Sequence, residues 1–225
     1  GQDQLSTTLL QRQLTELLER PVVVGNVSTG SWGPGNWLAY ARTYGFFDAD
    51  VILLVASGHD HADNPDFLPM HPQPRAVPDF IVPLAEFASQ QRLRLLESLA
   101  RRSAPAAPAG VPAGISAPDP ESVRRALDDL RAFLELARRQ TARVRVILHP
   151  ELPELHGSIH PGRSQIAALA QALSIPVSLP DARYREASGE GASLYLDVMH
   201  PSDAGQALIA QLLQEEVLQS IAQSP

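Results

Sequence analysis

The run Asp50-Val51-Ile52-Leu53-Leu54-Val55-Ala56 constrains this chain most. Everything after Asp50 in it is apolar, with no polar alternation. A strand with that pattern has to be covered on both faces, which happens inside a parallel sheet flanked by helices. Shorter β-branched runs predict three further strands, at 21–24, 143–148 and 175–179. Apolar residues at helical spacing predict helices over 6–19, 37–44, 84–101, 120–140, 164–173 and 201–222. Ser6 or Thr7 suits the cap of the first helix, and Pro21 ends it. Strands alternating with helices define an α/β protein with helices on both faces of a parallel sheet.

At 225 residues the chain reads as a single domain, 1–225, long enough to bury a substantial core. Its 44% hydrophobic content against 19% charged residues is globular rather than disordered. Two stretches break the pattern. Residues 57–83, rich in Pro, Asp and His, read as a long lid loop, and Ala/Pro-rich 103–120 as a flexible linker. The net charge of −7 argues against nucleic acid or an anionic membrane as a charge-driven partner. All 18 basic residues are arginine, a bias of composition. The absence of cysteine excludes disulfides, thiolate catalysis and Cys-ligated metal. No apolar run approaches the roughly 20 residues of a membrane span. The sequence fixes no oligomeric state. It assigns no compartment, although a periplasmic or extracellular place is preferred to the cytoplasm.

The chemistry concentrates near the C-terminus, in Leu194-Tyr195-Leu196-Asp197-Val198-Met199-His200-Pro201-Ser202-Asp203-Ala204-Gly205. Asp197 and His200 stand three residues apart on a loop at the mouth of a helix. Pro201 suits the first turn of that helix, and Ser202 or Asp203 can cap it. A His with a carboxylate fixing its tautomer has the geometry of a general base serving a nucleophile. Two further blocks follow predicted strands. Gly25-Asn26-Val27-Ser28-Thr29-Gly30-Ser31-Trp32-Gly33-Pro34-Gly35-Asn36 is a glycine-rich turn, and Ser57-Gly58-His59-Asp60-His61-Ala62-Asp63 ends the apolar strand. Ligands of open α/β sheets bind at such carboxyl ends.

These three blocks, in this order, resemble the SGNH (GDSL-like) hydrolases, serine esterases on a flavodoxin-like three-layer α/β/α sandwich. The late Asp-x-x-His then implies that Asp197 is the acid and His200 the base of a triad. The resemblance implies that the Gly30 N–H helps bind the oxyanion, a large catalytic contribution. It implies that His59, standing where the family has an Asn, donates to the same oxyanion. Ser28, Trp32 and Asp60 are the candidate substrate-binding residues. The family sheet has five strands in the order 2-1-3-4-5. The first, which carries the nucleophilic serine, has no counterpart here, so the expectation is that the natural chain extends upstream. The implied substrate is a small-molecule or polysaccharide ester, with carbohydrate O-acetyl groups as one class, and no cofactor is implied.

Other readings of the same residues stay open. The same triad serves O-acetyltransferases acting on bacterial exopolysaccharides, and a non-catalytic carbohydrate-binding or assembly domain could keep the fold. Ser28 lies close to a Gly-x-Ser-x-Gly elbow, with Asn26 in place of the first glycine. His61, Asp60 and Asp63 are metal-ligand types, without a helical His-x-x-x-His spacing and without a clearly placed second ligand group. No metal is therefore assigned. His149, His156 and His160 fall after the third of the four strands and can line the cleft. Trp32, Trp37 and Tyr40 suit either stacking on sugar rings or the core.

Overall fold

The computed structural model describes residues 2–28, 32–64, 118–189, 191 and 193–222. They belong to one unit formed by 1–65 and 118–225. The expected helix 84–101, the lid beyond Asn64 and the linker before Pro118 lie outside the described residues, as does Gly30.

Helix α1 spans Ser6–Leu17 and α2 spans Pro34–Tyr44. Strand β1 (Ile52–Ala56) is followed by a tight 3-10 turn, Gly58–His61. Then come α3 (Pro120–Gln140), β2 (Val144–Leu148), the single turn α4 (Leu152–Leu155) and α5 (Pro161–Ala172). Strand β3 (Val177–Ser178), α6 (Asp181–Gly189) and α7 (Asp203–Ala222) complete the chain. The strands form one parallel sheet in the order β1-β2-β3. Ile52 pairs with Val144 and Ala56 with Leu148, while Val146 and Ile147 pair with Val177 and Ser178.

The two faces of the sheet are covered differently. Ile52, Leu54, Ala56, Val144, Val146 and Leu148 point to one side and pack with Leu38 of α2, Leu130 and Leu134 of α3, and Ile166 of α5. Val51, Leu53 and Ile147 point to the other and meet Leu10 and Leu14 of α1 and Leu213 and Val217 of α7. Helices on both faces explain why β1 has no polar alternation. Arg145 is buried on the second side, where its guanidinium bonds Glu216 and donates to Gln219 Oε1 at 2.8 Å. Leu134 is at 0% exposure within the larger core, so truncating it leaves a cavity there. Leu134→Ala should cost about 2–5 kcal/mol, read as a lower urea midpoint at constant slope.

The α/β class thus holds, with a parallel sheet of three strands among the described residues rather than the four expected. Residues 21–28 form no strand, and Val23 is 90% exposed. The Val22 N–H donates to Thr15 Oγ1 at 3.2 Å and the Val24 N–H to Gln11 Oε1 at 2.9 Å. Side chains of α1 satisfy these two donors in place of a strand, and Val22 and Val24 pack against the α1–α7 cluster. The strand expected over 175–179 shrinks to two residues, its start set by Pro176, which has no N–H but accepts from Val146 at 2.9 Å through its carbonyl.

Several helix ends differ from expectation. Ser6 is the first residue of α1, not its cap, and its N–H donates to Gln206 Oε1 at 2.9 Å, tying α1 to α7. Helices α2 and α5 each begin three residues early, at Pro34 and Pro161, because proline is pre-set for the first turn. Helix α7 starts at Asp203, so Pro201 lies before it and bridges to Tyr195 instead. Among the described residues no helix is long and apolar enough to cross a membrane.

Candidate active site

Because the sheet is parallel, the segments after β1 and β2 emerge at the same edge. Ser57–His61 leaves β1 and His149–Glu154 leaves β2. The Asp197–His200 loop joins them there, since the Leu152 N–H donates to the Val198 carbonyl at 2.9 Å.

Asp197 and His200 meet through their side chains, as their spacing predicts. His200 Nδ1 lies 2.7 Å from Asp197 Oδ2. Asp197 Oδ1 accepts the backbone N–H groups of Met199 at 2.9 Å and His200 at 2.8 Å. Those two N–H bonds and the imidazole hold the Asp197 carboxyl down at about 2. It therefore stays ionised well above that value, orienting the ring, and among the described residues no hydrogen bond is made by Nε2. Both side chains are exposed, at 52% for Asp197 and 69% for His200. Backbone and side-chain hydrogen bonds nevertheless brace the loop. The Leu196 N–H bonds the His200 carbonyl at 2.8 Å, the Ser202 N–H bonds the Leu194 carbonyl at 2.9 Å, and the Tyr195 hydroxyl donates to the Pro150 carbonyl. Ser202 Oγ accepts the Gly205 N–H at 3.2 Å, capping α7 as expected of it.

Asp197 is flanked by exposed Leu196 and Val198, at 77% and 53%. Next to this loop runs an open groove of about 440 Å³ lined by Leu152, Leu155, His156, Arg185, Leu194 and Tyr195.

His59 does not stand alone at the edge. Its Nδ1 lies 2.9 Å from Glu151 Oε1, and this bond raises the imidazole's pKa against the opposing effect of burial. The same bond lowers the Glu151 carboxyl. Asp60 is buried, and burial pushes its carboxyl up to about 6 even though its Oδ2 accepts the Ser57 N–H at 2.7 Å. His61 is buried with Nδ1 3.0 Å from the Gly58 carbonyl, and burial lowers its pKa. The turn is pressed onto the start of α5, where a Cβ on Gly162 would stand 2.1 Å from the Gly58 carbonyl. Only glycine permits that approach.

A second layer supports these loops. Glu154 is 2% exposed and accepts the N–H groups of Glu151 and His160, each at 2.9 Å. Arg163, also buried, donates to Asp181 Oδ1 at 2.8 Å, to Glu154 Oε2 at 3.4 Å and to the Leu148 carbonyl at 3.2 Å.

His149 packs against the rings of Tyr184 and Tyr195, with Nδ1 2.8 Å from the Tyr184 hydroxyl. Burial pushes its pKa from 6.5 down to about 4, against pulls from the Met199 backbone and Glu151, and with Arg163 and His59 adding to the fall. Burial likewise raises the Tyr184 and Tyr195 hydroxyls. The folded chain holds His149 neutral, so the unfolded chain binds its proton more tightly. The stability present above pH 6.5 is lost as the pH falls toward 4, by up to about 3 kcal/mol. Melting curves should therefore show a steeper fall of Tm over that window in the native chain than in His149→Gln.

The remaining expected residues are dispersed. Ser28 is exposed and donates to Asn26 Oδ1 at 2.7 Å, and the strand that a nucleophile elbow requires does not precede it. Trp32 packs in a tilted contact on Tyr40 at 5.7 Å, which continues at 4.8 Å to exposed Tyr44, whereas Trp37 packs on Phe133 of the core. His160 caps α5, its Nδ1 accepting the Gly162 N–H at 3.2 Å, with its ring 5.1 Å from that of His61. Among the described residues no serine hydroxyl bonds His200. Sequence reasoning missed Glu151, Arg163, Tyr184 and Tyr195. For Glu151 a signal existed, since it stands three residues after a strand at the ligand-binding edge.

These elements define an α/β protein with a polar site at the carboxyl edge of a parallel sheet. No family model matches the chain, and neither the curated proteins nor the solved structures searched yield a match.

Proposed function

We propose that this chain is a serine-type ester hydrolase of the SGNH class, acting on acyl, above all acetyl, esters such as those of carbohydrates. The observation that carries the reading is the 2.7 Å bond between His200 Nδ1 and Asp197 Oδ2, with Nε2 unbonded among the described residues. In the proposed reaction Nε2 takes the proton of a serine hydroxyl as that oxygen attacks the ester carbonyl. The imidazolium then returns the proton to the departing alcohol, and water releases the acyl group by the same route. The Gly30 N–H and the Nε2–H of protonated His59 are the proposed oxyanion donors. Glu151, bonded to His59 Nδ1, favours that protonated form. The groove beside Tyr195 offers room for the acyl or alcohol part, and exposed Leu196 and Val198 offer apolar contact.

Two alternatives share these residues. With a sugar hydroxyl in place of water the same triad is an O-acetyltransferase. The Trp32-Tyr40-Tyr44 rings suit pyranose faces, which favours carbohydrate and also supports a binding domain without catalysis. Labelling with a serine-directed fluorophosphonate, followed by peptide mass spectrometry, tests the proposal. Label on one serine, lost in His200→Ala, supports the triad. Full labelling and full hydrolysis of p-nitrophenyl acetate in His200→Ala reject it. Saccharide binding without any ester turnover selects the binding domain.

A further inference from the structure

We infer that His59, Asp60 and Asp63 form a binding site for a divalent transition-metal ion of the zinc class. One ligand atom from each of the three residues lies within 4.8 Å of the others. His59 Nε2 and Asp60 Oδ1 are 3.7 Å apart. Zinc bonds of about 2.0–2.2 Å put neighbouring tetrahedral ligands roughly 3.4 Å apart, so the His59–Asp60 pair needs a few tenths of an ångström of closure and the full set up to about 1.4 Å, within reach of a side-chain rotation at half-buried Asp63.

The surroundings fit such a site. His59 Nδ1 is engaged by the Glu151 carboxylate at 2.9 Å, the arrangement that fixes a metal-binding histidine with the lone pair of its other nitrogen turned to the ion. Asp60 is about nine-tenths buried. Its Oδ2 accepts the Ser57 N–H at 2.7 Å, which leaves Oδ1 turned toward His59 Nε2 at 3.7 Å, the placement from which an imidazole nitrogen and a carboxylate oxygen can share one cation. Asp63 is held by its backbone. A Cβ on Gly33 would stand 1.4 Å from the Asp63 carbonyl, and the neighbouring Asn64 is fixed by the Gly35 N–H and by Asp129, each at 2.7 Å. One imidazole with two carboxylates suits zinc or cobalt rather than magnesium, which prefers all-oxygen sites.

The inference does not rest on ester hydrolysis. A cation here occupies the Nε2 that the hydrolase reading uses as an oxyanion donor, so the two uses exclude each other at any one moment.

The test is a zinc titration of the chelator-treated whole chain in competition with a chromophoric chelator, with cobalt substitution read by its visible d–d bands. One equivalent should bind. His59→Gln and Asp63→Asn should each weaken binding by about 100-fold or more, and Glu151→Gln by about 10- to 100-fold. His156→Gln, at an exposed histidine outside the cluster, should leave it unchanged. Circular dichroism of each variant separates lost ligation from lost folding, and the half-buried position of Asp63 makes Asp63→Asn the safer variant. Absence of stoichiometric binding, or binding that survives both His59→Gln and Asp63→Asn, overturns the site.

Discussion

His200→Ala is expected to lower kcat/KM for p-nitrophenyl acetate by about 10³- to 10⁴-fold, with little change in stability. The stability half follows from exposure. The imidazole is 69% exposed and packs in no core cluster, so its removal leaves no cavity. The activity half follows from its proposed role, because without a base a serine hydroxyl stays protonated and weakly nucleophilic. Asp197→Asn should cost less than the loss seen when a buried triad acid is removed, since solvent screens an exposed carboxylate. It should still disturb the loop, because Asp197 Oδ1 also accepts the backbone N–H groups of Met199 and His200. The Asp197 carboxyl is held at about 2, so it does not titrate between pH 4 and 8. An acid limb of the rate profile in that range belongs to another group and should survive in Asp197→Asn. Steady-state kinetics with a thermal melt on each variant check both halves.

The second large effect is expected at Arg163, and it is structural. Arg163→Ala should destabilise the chain by about 3–5 kcal/mol, because it strands two carboxylates around a vacated, desolvated site. Glu154 is 2% exposed and the Asp181 side chain 16% exposed, and Arg163 is the cation that bonds both. For a domain of this size that corresponds to a fall in Tm of roughly 10 °C. Arg163→Lys should recover only part of it, since one ammonium cannot match the two-nitrogen grip on Asp181 together with the Leu148 carbonyl. The loss reaches the site through the loops it ties. Glu154 orients Glu151, Glu151 holds His59, and Leu152 anchors the Asp197–His200 loop. A double variant, Arg163→Met with Glu154→Gln, should be less destabilised than Arg163→Ala, because it leaves one buried charge fewer unpaired. Urea unfolding with unchanged slope checks the comparison.

Local pattern determined the elements whose residues carry their own signal. The uniform apolar run at 51–56 marked a strand covered on both faces, and the helical spacing at 120–140 marked α3 with its bounds. The spacing Asp197-x-x-His200 sufficed to bring the two side chains together, because the contact is made within one tight loop. Tertiary structure decided what depends on a partner distant in the chain. Whether Pro21–Val24 becomes a strand depends on a neighbour to pair with, and α1 supplies side-chain acceptors instead. Helix α6 lacks apolar periodicity and is held by buried Tyr184 and by the Asp181–Arg163 pair. The bond between His59 and Glu151 joins residues 92 apart, and only the parallel register of β1 with β2 sets their loops side by side. A single sequence encodes short-range periodicity and turn chemistry directly. The meeting of two loops across a sheet edge is fixed by the packing of everything between them.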